Sequence, residues 1–135
     1  MSPVTEESIA FNNVMAHYAE CRGTSDSTTV NGIHYASITE SVRSFTGRVS
    51  VCMQDFLADV ALAGKRALEP FPLEYRLFRR IYLDGDEEFR SAVEKSMDQP
   101  NYEFIMNEIA KNVGRVFIDS GIYPLSAYAQ TVSVR

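Results

Sequence analysis

At 135 residues, with 45% hydrophobic side chains, seven tyrosines and eight phenylalanines, the chain can bury a core of its own without disulfide or metal staples. That composition excludes wholesale disorder. The net charge of −5 leaves no overall cationic excess, so any contact with nucleic acid must rest on a local basic patch.

Ser2 followed by Pro3 reads as a helix cap with proline in the first turn, and Glu6 and Glu7 suit the positive end of a helix. Val4, Phe11, Met15 and Tyr18 recur at helical spacing, so a helix is expected from about 3 to 21. Residues 22–36 change character. The Gly23 to Thr29 stretch is polar and aperiodic, and Asn31-Gly32 is a turn signal. This segment is expected to be a mobile connector, or at most a short strand-like excursion around Thr28 to Val30.

Ile38, Val42, Phe45, Val49, Cys52, Phe56, Val60, Ala63 and Ala67 then recur every three or four residues. Ser37 with Glu40 forms a capping-box pattern, and one helix over about 38–68 is expected, with Gly47 and Gly64 as its weak points. Its narrow apolar stripe, with Phe45, Val49, Phe56 and Val60 at the centre, suits a homodimer or partner contact. Packing along its own domain satisfies the same pattern.

Pro70 and Pro72 end that helix. Leu73, Leu77, Phe78, Ile81 and Tyr82 mark a short helix stopping near Asp84-Gly85. Asp84 or Asp86 caps another over about 86–96, with Phe89, Ala92 and Val93 inward. After the Met97-Asp98-Gln99-Pro100 turn, a helix over about 100–119 carries Tyr102, Ile105, Ile109, Val113 and Val116 on one face and ends at Gly121. The Tyr123 to Tyr128 segment is expected to strap back onto the domain, and 129–135 to fray. The class is all-α, with long N-terminal helices followed by a C-terminal three-helix unit. The expected division is a helical arm over 1–68 and a second unit over 69–128.

No pattern of catalytic chemistry is found. His17 reads as a helix-surface residue and His34 as a loop residue, without ligand spacing to any cysteine or carboxylate. Cys21 and Cys52 read as small hydrophobes of a reducing compartment. Asp84, Asp86, Glu87 and Glu88 are out of register for a calcium loop, and no phosphate-binding glycine motif occurs. No enzyme activity, metal, cofactor or small-molecule substrate is expected. No apolar run approaches the length of about 18 residues that a membrane span needs, and Met1 to Glu7 lacks the basic start of a signal peptide. A cytoplasmic protein is expected.

Three helices of about 12, 11 and 20 residues joined by tight turns over 72–119 have the layout of a helix-turn-helix. Close crossing of its helices calls for a small residue such as Ala92, and the last helix must present polar side chains to a groove. The run Ala67 to Gly85, with its leucine, proline, carboxylate, apolar pair and Tyr82-Leu83-Asp84-Gly85 exit, resembles the opening of region 4 of sigma-70-type factors. Asn112 to Phe117, with Tyr123-Pro124-Leu125 and Tyr128, is similar to the tail of small bacteriophage proteins built on a sigma-like core. The resemblance spans about residues 67–128. It implies a regulatory protein, in a bacterial host cell, acting on transcription or DNA.

On that reading Gln99, Asn101 and Asn107 would read base edges and Lys111 and Arg115 would reach phosphates, with Lys95 also on the DNA- or partner-binding surface. Lys95 stands where a leucine packs in the sigma pattern, and Glu103 and Glu108 place two carboxylates on the presumed reading face. Arg76, Arg79 and Arg80, with Lys65 and Arg66 against Glu69 and Glu74, give the 65–80 segment a net +3. That segment would either clamp phosphates or form a solvated face. The alternative is an acidic protein-interaction factor, such as an inhibitor of a host nucleic-acid enzyme, that keeps the scaffold without binding DNA. A structural or assembly role is the third reading.

Overall fold

The computed structural model describes residues 4–23, 29–35, 53–126 and 128. Among the described residues the fold is all-α apart from one minimal hairpin. Helix α1 (Glu6–Arg22) begins at Thr5 rather than at Ser2, and residues 1–3 lie outside the described part. The Thr5 hydroxyl accepts from the Ser8 N–H at 3.1 Å, and the Ser8 hydroxyl accepts from the Thr5 N–H at 3.2 Å. Two otherwise orphaned donors are thereby satisfied reciprocally. Ala10, Phe11, Val14, Met15, His17, Tyr18 and Cys21 form its buried face.

The expected connector over 22–36 contains ordered structure. Strands β1 (Thr29–Val30) and β2 (Ile33–His34) pair antiparallel, with Val30 opposite Ile33. Asn31 (φ 53°) and Gly32 (φ 78°) both take the left-handed conformation that a two-residue hairpin turn requires. Val30 and Tyr35 are buried and anchor the hairpin to the core, and its first strand, Thr29–Val30, is the strand-like excursion expected around Thr28 to Val30.

Helix α2 (Met53–Leu68) is the described part of the long apolar stripe. Positions 36–52, including Phe45 and Val49, lie outside the described residues. Gly64 does not interrupt α2. It makes room for the Phe78 ring, which a Cβ at Gly64 would approach to 2.1 Å. Pro72 opens α3 (Pro72–Leu77), which runs directly into a π-helical turn (Phe78–Leu83) that the sequence pattern did not foretell. That turn ends with the Asp84 N–H on the Arg79 carbonyl at 2.8 Å and the Asp86 N–H on the Arg80 carbonyl at 3.0 Å. The Arg22 guanidinium reaches across from α1 and donates to the Leu83 carbonyl at 2.6 Å.

Helix α4 (Glu87–Ser96) is capped by Asp86, whose carboxylate accepts from the Phe89 N–H at 3.0 Å. Helix α5 (Gln99–Asp119) comes directly after it, from Asp98 as N-cap with Pro100 in the first turn, and Gly121 turns the chain at φ 82°. Tyr102, Ile109, Val113, Gly114 and Phe117 are its buried positions. α5 packs most extensively on α1 and next on α2. The α1–α5 crossing is close because Gly114 has no side chain; a Cβ there would lie 2.0 Å from the Glu7 carbonyl oxygen.

One hydrophobic cluster runs from Phe11 and Val14 through Phe56 and Val60 to Phe78, Val113, Phe117 and Ile122. Packing is therefore continuous across the expected division at residue 68. Tyr128 returns over α2, its ring centroid 5.9 Å from that of Phe56 and its hydroxyl donating to Asp59 at 2.7 Å. No helix among the described residues is long and apolar enough to cross a membrane.

Candidate interaction surface

The nine side chains expected to contact DNA or a partner fall into three groups. At the start of α5, Gln99 donates to Glu103 at 3.0 Å and Asn101 donates to Asp98 at 2.6 Å. Both amides are exposed, yet each is turned onto a carboxylate of its own helix end. Further along, Asn107 and Lys111 line a cleft against Thr5, Ser8 and Asn12 of the α1 side. Arg115 is ion-paired to Glu7 across the helix crossing and to Asp119 at 3.4 Å along its own helix. The Arg115 guanidinium beside Glu7 holds that carboxyl below the usual glutamate range.

The third group surrounds the π-helical turn. Arg80 donates to Asp86 at 2.8 Å, and its guanidinium lies 4.3 Å from the Phe89 ring centroid. Arg76 lies over the same ring at 5.8 Å. The two arginines and Phe89 thus attach α4 to the preceding turn by cation–π contact and one ion pair. The Asp86 carboxyl is held low by Arg80 first, then by the Phe89 N–H it accepts. Arg79 is exposed, and Lys95 is exposed in the last turn of α4, where the helix dipole favours a cation. Lys65, Arg66, Arg79 and Lys95 make no ion pair with a carboxylate among the described residues.

Two expectations about helix faces need correction. Phe56 and Val60, expected on a dimer or partner stripe, are fully buried inside the chain's own core, because α1, the hairpin and the Tyr128 strap cover that face of α2. Ala92, expected at a close helix crossing, is exposed. α4 packs more closely on the π-helical turn than on α5, and no α4 residue is fully buried.

His17 is likewise not a surface residue. It is only 3% exposed; its Nε2 meets the Tyr35 hydroxyl at 2.8 Å and its Nδ1 meets the Asn31 amide nitrogen at 3.3 Å. A signal was present in the sequence, since His17 lies three residues from Val14 and four from Cys21 on the apolar face. Burial pushes the Cys21 thiol up to about 11 and raises the Tyr35 phenol, so both stay protonated at neutral pH. A thiol held protonated is a poor nucleophile. Among the described residues no three His, Cys, Asp or Glu side chains are grouped to hold a metal ion.

Comparison with protein-family models, curated proteins and solved structures finds no match. The function must therefore be read from the surface chemistry of this chain.

Proposed function

We propose that this chain is an acidic, helical protein-interaction factor that works without reading DNA and without catalysing a reaction. The observation that carries this reading is how the candidate groove-facing side chains are already used. Gln99, Asn101, Arg80 and Arg115 are each held by a carboxylate of the same chain, and Arg76 and Arg80 are stacked on Phe89. Delivering them to bases or phosphates would break these contacts, and the net charge of −5 opposes the approach of a polyanion. That charge instead suits a basic partner surface, such as the nucleic-acid site of a host enzyme, which an acidic helical protein would occupy in place of the nucleic acid.

A second reading, a phage-type transcription regulator contacting DNA through a sigma-like α4–turn–α5, is favoured by one observation. Lys65, Arg66, Arg79 and Lys95 are exposed and without ion pairs among the described residues. A mobility-shift assay on random duplex at low salt separates the two. No shift is expected; a shift at micromolar protein that weakens steeply with salt would overturn the protein-interaction reading in favour of the regulator.

A further inference from the structure

His17 fastens the Thr29–Tyr35 hairpin to α1 through both of its ring nitrogens. The Asn31 amide at 3.3 Å donates to Nδ1, so Nε2 carries the ring proton and donates to the Tyr35 oxygen at 2.8 Å. The Tyr35 phenol and the Cys21 thiol are both buried beside this pair of contacts. The chain Asn31–His17–Tyr35 is neutral throughout, and both ring nitrogens of His17 are satisfied along it. It is closed over by the Phe56 ring, centred 5.3 Å from the imidazole.

A proton added at Nδ1 finds the wrong environment. It points at the Asn31 amide N–H, and rotating that amide supplies only a neutral oxygen. Among the described residues the titratable groups around the ring are Tyr35 and Cys21, both held protonated, and Tyr123 across the adjoining cleft. α2 presents the apolar Phe56, while its Asp59 binds Tyr128. Glu20, one turn along α1, is the sole opposing charge acting on the ring among the described residues. A buried imidazolium with no carboxylate partner is costly, and opening the hairpin is the shortest way to hydrate it.

We infer that the Thr29–Tyr35 hairpin is an acid-released clasp, pinned to α1 by neutral His17 and let go when that ring is protonated. Release removes the Asn31 and Ile33 wall of the cleft they form with Asn13, His17 and Leu125 and leaves the α1–α5 packing in place. Burial holds His17 below the ordinary imidazole range, with Glu20 opposing it weakly. The open form therefore binds the extra proton, and closure is fully stable above the open-state pKa. It weakens as pH falls from about 6.5 toward the lower closed-state value.

The test is amide hydrogen exchange of 29–35 relative to α5 on the intact chain, from pH 7.5 to 5, corrected for intrinsic rates. The open fraction of the hairpin is expected to rise toward tenfold per pH unit below about 6.5, with α5 unchanged. In His17→Gln the ratio is expected to be flat across that range. A flat wild-type ratio, or an acid response that survives in His17→Gln, would overturn the inference. Should His17→Gln not fold, the wild-type imidazole titration read by NMR decides. Titration below about 6.5 supports the clasp, and titration at or above that value overturns it.

Discussion

The α1–α5 pair and helix α4 each carry an apolar face, yet they are held in different ways. α5 buries Ile109, Val113 and Phe117 completely, and α1 crosses it so closely that Gly114 faces the Glu7 backbone. α4 buries nothing completely and is held by a cap, an ion pair and two arginines over one ring. Periodicity therefore shows that a face is apolar without showing how much water it will lose. The stability of the first region comes from area removed from solvent, and the second adds little to it.

The same substitution in both regions should expose the difference most sharply. Phe117→Ala removes a ring with no exposure, at a cost of about 3–5 kcal/mol. Phe89→Ala removes a half-buried one and should cost about 1–2 kcal/mol in the same urea titration. Equal losses would mean that α4 belongs to the core after all.

Gly114→Ala comes next, at about 3 kcal/mol, because the new methyl meets backbone, which has no rotamer by which to move aside. An unchanged urea midpoint would refute the close crossing.

The smallest effect is electrostatic, with one carboxylate in each region. Glu7 and Asp86 both have pKa values lowered by an arginine partner. Each then favours the folded state above its unfolded value, and that contribution disappears as pH falls from about 4.3 for Glu7 and about 3.9 for Asp86 through the lowered folded values. Glu7→Gln and Asp86→Asn should each flatten the acid limb of a stability–pH curve slightly, since exposed pairs contribute little. Asp86→Asn keeps the cap oxygen and so isolates the charge. An acid limb that both variants leave unaltered would mean that neither pair contributes to stability.

Much of the fold is legible because it is local chemistry. Asp86 caps a helix, Pro72 and Pro100 sit in first turns, and Asn31-Gly32 and Gly121 supply positive φ where the chain reverses. What escaped the sequence depends on residues far apart. His17 faces a phenol 18 positions away, and Arg115 faces a glutamate 108 positions away. Phe56 and Val60 were legible as a stripe, but the side chains that cover them come from α1, the hairpin and the C-terminal strap. The same limit applies to the surface. Polar spacing along α5 suggested a reading face, and in the folded chain Gln99, Asn101 and Arg115 of that face are turned onto carboxylates, with Glu7 brought to Arg115 from α1.

The π-helical turn at Phe78–Leu83 also sets the rotational phase of α4. It winds wider than an α-helix, so more residues are needed to bring the chain round to Asp86. One residue corresponds to about 100° of rotation in an α-helix. A single deletion within the turn would therefore swing Asp86 away from Arg80 and Phe89 away from both arginines, with no side chain having changed its chemistry. This stretch is constrained in length more than in identity: it should accept conservative replacements at Arg79 or Leu83 and reject the loss of one residue.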